Sequence, residues 1–247
     1  MHSLLGGALS LLLVFRTNSA YNRFWEARCI WESLQNRCRD LARFTHVYRA
    51  QIGSDRVTRI AQLLCSFPFA LRHHLCGTGA SHHLRGTGSC CELVSLPQLD
   101  DNVLEEMQHS PSRPLYLCKK LAEELVQVAS TSEFGSRERL QGVNYVDELC
   151  SYVGACERLL QTPVPLNYAR HTSRFLTLWC LTLPISLVGT MGIVMVPVTS
   201  FVTWCLFSIQ EIGLFIEHCA LDEGEIFMDG ISASIACDVA WSCVETR

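Results

Sequence analysis

Residues 175–210 read FLTLWCLTLPISLVGTMGIVMVPVTSFVTWCLFSIQ, without one Asp, Glu, Lys or Arg. At about 1.5 Å per residue a single helix of that length would reach about 54 Å. A bilayer core is about 30 Å thick, and one crossing takes about 20 apolar residues. The run is too long for one crossing and long enough for two. Gly189, Gly192 and Pro197 lie near its middle, where a helical hairpin would turn. Both ends are polar: Arg170, His171 and Arg174 precede the run, and Glu211 and Glu217 follow it. The pattern predicts a membrane-embedded protein. A large soluble helical protein could bury one such hairpin, but soluble core helices seldom stay free of charge for so long.

Composition agrees. Of 247 residues, 49% are hydrophobic and 18% charged, against about 25% charged in an average soluble domain. Mean hydropathy is +0.19. These values fit a few membrane spans and a substantial part in water. The net charge of −4 and the scatter of Arg among acids exclude a basic nucleic-acid-binding surface. The 14 Cys do not form a disulfide framework, because Cys29, Cys38, Cys180 and Cys205 fall inside predicted helices and read as small hydrophobes. Mostly reduced thiols favour cytosol or stroma. Cys90 and Cys91 sit in a predicted loop and are the exceptions.

Leu4 to Phe15 is apolar, about 18 Å as a helix. It is not read as a signal peptide, since only His2 precedes it and Thr17-Asn18-Ser19 before Ala20 makes a poor cleavage site. A plastid transit peptide would be richer in Ser and Arg. The reading is a transmembrane helix cut short, with a start upstream of Met1. Beyond it, Phe24, Ala27, Trp31, Leu34, Cys38, Leu41, Phe44 and Tyr48 recur every three or four residues. Arg23, Glu26, Arg28, Glu32, Arg37, Arg39, Asp40 and Arg43 cover the other face. This is one long amphipathic helix leaving the membrane, and its Arg-rich end marks the cytoplasmic or stromal side.

Further helices are predicted over 54–75, kinked or restarted at Pro68, over Pro114–Val128, over Arg137–Gln161 and over Ile231–Val244. Residues 76–110, rich in Gly, Ser and Thr in their first part, are predicted as a loop. No strand pattern and no internal repeat is evident. The fold class is all-α: a multi-pass membrane protein whose long helices extend into a cytosolic or stromal helical part. The organisation is one channel-like domain. It comprises a membrane helix over 1–21, helical water-exposed parts over 22–75 and 111–170, the 76–110 loop, a membrane hairpin over 172–217, and an acidic turn with a C-terminal helix over 218–247.

Three segments resemble the bestrophin-like anion channels of bacteria and plant plastids. LLLVFRTNSAYNRFWEARCIW, Leu11–Trp31, is close to the family's FRTNxxYxRWWEGRxxW. RLLQTPVPLNYARHTSRFLTLWCLTLPISLV, Arg158–Val188, carries the TPxP, the Tyr and His that follow, and an LP inside the next span. IQEIGLFIEHCALDEGEIFMDG, Ile209–Gly230, matches the acidic segment after the last span. The three in this order are specific; none alone would be. The family's PFG is His218, Cys219 and Ala220 here, and its LPLD is Ile226, Phe227, Met228 and Asp229. The family also has a membrane helix before the segment that begins here at Met1, so the first membrane helix is read as missing.

The resemblance implies a homopentamer with one axial pore that passes chloride, and other small anions such as bicarbonate, down the electrochemical gradient. It implies a neck at Gly7, Leu11 and Phe15, which share one helical face at i, i+4 and i+8. Five Leu11 and five Phe15 side chains would make an apolar constriction that gates by dewetting. Asn18 and Ser19 follow it and could turn their dipoles to an ion. Arg16 and Arg23 could concentrate anions, or anchor the membrane end and pair with Glu26 or the acidic segment. Glu211 at the end of the last span reads as the packing partner of an Arg from the first segment. The implied membrane is a plastid thylakoid membrane or a plasma membrane, and lipids are partners.

Glu217, Asp222, Glu223, Glu225 and Asp229 supply oxygen ligands that could hold Ca²⁺. Their spacing is not an EF-hand, and a solvated acidic face is the default. His73-His74, His82-His83, Cys76, Cys90 and Cys91 include no C-x-x-C and are weak as a zinc site. No catalytic constellation has supporting context, so no enzyme is predicted. Two rivals stand beside the channel: a non-conducting truncated membrane paralogue, and a metal-dependent soluble protein built on the His/Cys loop.

Overall fold

The computed structural model describes residues 2–79, 101–162, 166–219 and 225–244. It is helical, with no strand among the described residues. In chain order the elements are α1 (His2–Val47), α2 (Arg49–Ile52), α3 (Ser54–Gly79), α4 (Asp101–His109), α5 (Arg113–Val126), α6 (Ser136–Gln161), α7 (Leu166–Met191), α8 (Met195–Cys219) and α9 (Glu225–Val244). The chain divides into two compact units, where the sequence suggested one domain. Unit 1 is 1–27 with 161–223, and unit 2 is 28–160 with 224–247. The boundary falls inside α1.

Unit 1 is built on the apolar run. Arg170–Ile216 is the stretch of described residues long and apolar enough to cross a membrane, and only 6% of its most apolar window is buried. The core helix of a soluble protein would be mostly buried, whereas this hairpin is bare in a single chain. The turn lies where expected: a 3₁₀ turn, Gly192–Val194, joins α7 to α8. Gly192 has φ +54, the left-handed region that glycine enters without a Cβ clash. Ser173 near the start of α7 accepts a hydrogen bond from Gln210 near the end of α8, so the arms run antiparallel. At 26 and 25 residues, each arm exceeds the roughly 20 that a bilayer core takes.

The first part of α1 packs on this hairpin. Leu9 and Leu13 are buried with Leu176 and Cys180 of α7, against Phe175, Trp179 and Leu206. A Cβ at Gly6 would meet the Trp179 ring at 3.3 Å, so a small residue there lets the helices approach. Arg23 Nη1 donates to the Thr162 carbonyl at 2.6 Å.

Unit 2 has its own core. Trp31, Leu34, Cys38 and Leu41 of α1 are buried, as their spacing predicts, with Ile60, Leu64, Phe67 and Leu71 of α3, Leu117 and Leu121 of α5, and Leu149 of α6. Phe44 lies tilted against Phe134, and Tyr48 meets Phe134 edge-on. Arg39 pairs with Asp238 of α9 at 2.6 Å, and Arg37 with Glu148 of α6 at 2.6 Å. α3 runs without interruption through Pro68, which is buried, so packing overrides the break that the residue favours. Helix α4 lies within the stretch predicted as loop: Val103, Leu104 and Met107 pack on the core, and Tyr116 Oη donates to Glu106 at 2.6 Å. Three apolar residues at the edge of a Gly- and Ser-rich run were too short a pattern to read as a helix.

The described cysteines carry no disulfide among the described residues. Cys38 and Cys180 are buried as small hydrophobes, whereas Cys29 is exposed. Burial pushes the Cys38 thiol well up. The Cys118 thiol beside Cys150 donates a hydrogen bond that lowers the Cys150 thiol below its usual range, while Cys118 is pushed up.

Candidate ion pathway on the first helix

An α-helix advances about 100° per residue, and α1 uses this to separate two faces. Leu9, Leu13, Arg16, Ala20 and Ala27 are buried on one. Gly7, Leu11, Val14, Phe15, Asn18, Asn22 and Trp25 are exposed on and around the opposite one. Leu11 and Phe15 each keep 55% of their surface. A Cβ placed on Gly7 meets nothing within 4 Å. In one chain, therefore, a row of apolar side chains lies bare on a helix whose other face is packed. Asn18 continues the row. Ser19 is exposed at its flank, and its Oγ donates to the Phe15 carbonyl at 2.8 Å, so that hydroxyl is engaged with its own helix. Val14, Asn22 and Trp25 were not singled out from the sequence; the 3.6-residue period extended from Leu11 would have found them.

A family model described as bacterial/fungal bestrophin protein matches residues 1–240. The chain belongs to the bestrophin family. It is 35% identical over 229 residues to a voltage-dependent anion channel-forming protein of a Nostoc species, covering 90% of this chain and 70% of that one. It is 33% identical over 232 residues to the voltage-dependent chloride channel 2, chloroplastic, of Arabidopsis thaliana, covering 90% of this chain and 52% of the relative. The chain thus spans about half the length of that plant relative. A crystal structure of a bacterial bestrophin homologue from Klebsiella pneumoniae is similar in fold, with TM-score 0.85 and 25% identity over 98% of this chain and 87% of that one.

The remaining charged residues of this bestrophin fall in different places. Arg16 does not join the open face; it is 4% exposed and turned inward. It makes no ion pair with Glu26, and its Nε and Nη1 have no hydrogen-bond partner among the described residues; the acidic segment, its other expected partner, lies outside the described side chains. Glu211 is exposed and pairs with no Arg among the described residues. His74 Nε2 meets Glu157 Oε1 at 2.9 Å. Arg113 Nη1 lies 2.9 Å from His73 Nδ1. The two histidines are thus engaged separately, and no metal-holding group occurs among the described residues. His82, His83, Cys90 and Cys91 lie outside the described residues, as does the Cys76 side chain. Of the calcium candidates, Asp222 and Glu223 lie outside them entirely, and Glu217, Glu225 and Asp229 do so in their side chains.

Proposed function

We propose that this chain is the pore-forming subunit of an anion channel that conducts chloride, and other small anions such as bicarbonate, passively across a membrane. The observation that carries the reading is the bare apolar face of α1. Such a face fits an assembly of five chains around an axis, with Gly7, Leu11 and Phe15 at its neck and Asn18 and Ser19 just beyond. An apolar ring is passed most easily by ions that shed water readily, and it closes by dewetting when narrow. Gly7 brings no side chain to the first position, so the neck tightens at Leu11 and Phe15.

The exposed hairpin of unit 1 faces lipid and the neighbouring copies in this reading. The membrane is a plastid membrane or a plasma membrane: relatives named chloroplastic support the first, and bacterial relatives the second. The acidic turn departs from the family pattern at His218 to Ala220, so conduction without calcium is proposed.

Chloride flux into liposomes carrying the purified protein tests this, with potassium flux measured alongside. Anion-selective flux that persists when calcium is chelated is the expected result. Equal flux of both ions, or none, would remove the channel reading.

A further inference from the structure

Unit 1 contains a buried positive charge that no carboxylate among the described residues pairs with. Arg16 is 4% exposed, and its Nε and Nη1 are buried without a hydrogen-bond partner among the described residues. A guanidinium stays charged throughout the physiological pH range. An unbalanced charge inside a membrane protein is costly and marks a functional position by default. The described carboxylates of unit 1, Glu26 and Glu211, are both exposed.

Three helices bring polar groups to the level of Arg16. Leu206 of α8 packs against the cluster that Leu9 and Leu13 form with Leu176 and Cys180 of α7. Further along α8, a Cβ on Gly213 would lie 3.6 Å from Thr17 Oγ1. Gln210 falls between those two positions of α8, as Arg16 falls between Leu13 and Thr17 of α1. On α7, Thr172 is 2% exposed, one turn from Leu176. Its neighbour Ser173 accepts a hydrogen bond from Gln210 Nε2 at 3.1 Å. Gln210 Oε1 is likewise buried without a partner among the described residues.

The two ends of a Gln amide are assigned by their hydrogen bonds. Turned over, the Gln210 amide would accept from the Ser173 hydroxyl and direct Nε2 to where Oε1 stands. The layer then offers Arg16 Nε, Arg16 Nη1 and Gln210 Nε2, all of them donors. Donors around one fixed cation suit a small monovalent anion; a divalent oxyanion would bring more charge than the layer offsets.

We propose that this layer binds one halide-class anion per chain, with Arg16 as its charge partner, and that the bound ion ties α1 to α7 and α8. Arg16 lies on the face of α1 opposite Leu11, so this ion is a resident of the fold and not one in transit through the neck. The site is independent of whether the assembly conducts.

The test is the thermal midpoint of the detergent-purified protein in chloride against gluconate at equal ionic strength. A saturable rise in chloride is expected. It should disappear in Arg16→Gln and persist in Phe15→Ala, which alters the proposed neck. Should Arg16→Gln fail to assemble, Gln210→Leu serves, with about tenfold more chloride needed for half the effect. Bromide-soaked crystals should show an anomalous peak beside the Arg16 guanidinium. Equal midpoints in the two salts, a wild-type response from Arg16→Gln, or a bromide peak only beside Phe15 would overturn the proposal. Liposome flux judges the channel reading separately.

Discussion

Leu11 and Phe15 are the side chains on which the channel reading turns. Each would project toward the axis of an assembly, and each removed ring would widen a passage that excludes water by its apolar surface. Leu11→Ala combined with Phe15→Ala is expected to raise anion conductance several-fold in single-channel recordings of the assembled variant. Unchanged conductance and selectivity would show that these residues face something other than the path. In unit 2, His73 sits against Arg113 at 2.9 Å and beside Arg72 and His74. Its imidazole titrates below the usual range, first because burial disfavours the cation and then because Arg113 repels it. The unfolded imidazole, at about 6.5, therefore takes its proton before the folded one. The stability that depends on neutral His73 is complete above about pH 6.5 and is lost as pH falls through the folded value. His73→Gln is expected to flatten that part of the pH dependence of unfolding; an unchanged slope below about pH 6.5 would show that the imidazole does not set it.

At the scale of elements, the turn of the membrane hairpin rests on Gly192. Its φ of +54 lies where a side chain strains the backbone, at roughly 1–2 kcal/mol for an L-residue. Gly192→Val is expected to lower the thermal midpoint of the detergent-purified protein. Gly189→Ala, inside α7 and with nothing within 4 Å of an added Cβ, is expected to leave it unchanged or slightly raised. Equal effects of the two would mean that bulk and not φ governs the turn. α1 shows how one element serves two environments. Over 46 residues its buried face changes from Leu9 and Leu13 in unit 1 to Trp31, Leu34, Cys38 and Leu41 in unit 2. The 3.6-residue period holds throughout while the outer face changes from apolar to charged.

For the whole molecule, the apolar surface on the hairpin and on α1 decides solubility and assembly. Leu181, Ile185, Phe201 and Trp204 are each exposed in a single chain, and water does not tolerate so continuous a patch. The protein is expected to stay in the membrane fraction after alkaline carbonate washing. Native mass measurement in detergent is expected to give five copies. A monomer in detergent would show that the bare face of α1 meets lipid, and would remove the pore together with its neck.

Helical class, the membrane hairpin and the extent of α1 were legible in the sequence, because each follows from local quantities: a 3.6-residue period, the length of an uncharged run against the thickness of a bilayer, and Gly192 at the turn. The proposed neck came only with the resemblance carried by FRTN and its neighbours, since Gly7, Leu11 and Phe15 alone look like any apolar helix face. The tertiary structure decided which face of α1 stays bare, that Arg16 turns inward, that α4 forms within the expected loop, and that His73 and His74 have separate partners. Those outcomes depend on residues far away in the chain, such as Tyr168, whose Oη reaches the Leu12 carbonyl at 3.5 Å, or Glu157 beside His74. A side chain's environment is set by what the fold brings against it, and no local pattern carries that information.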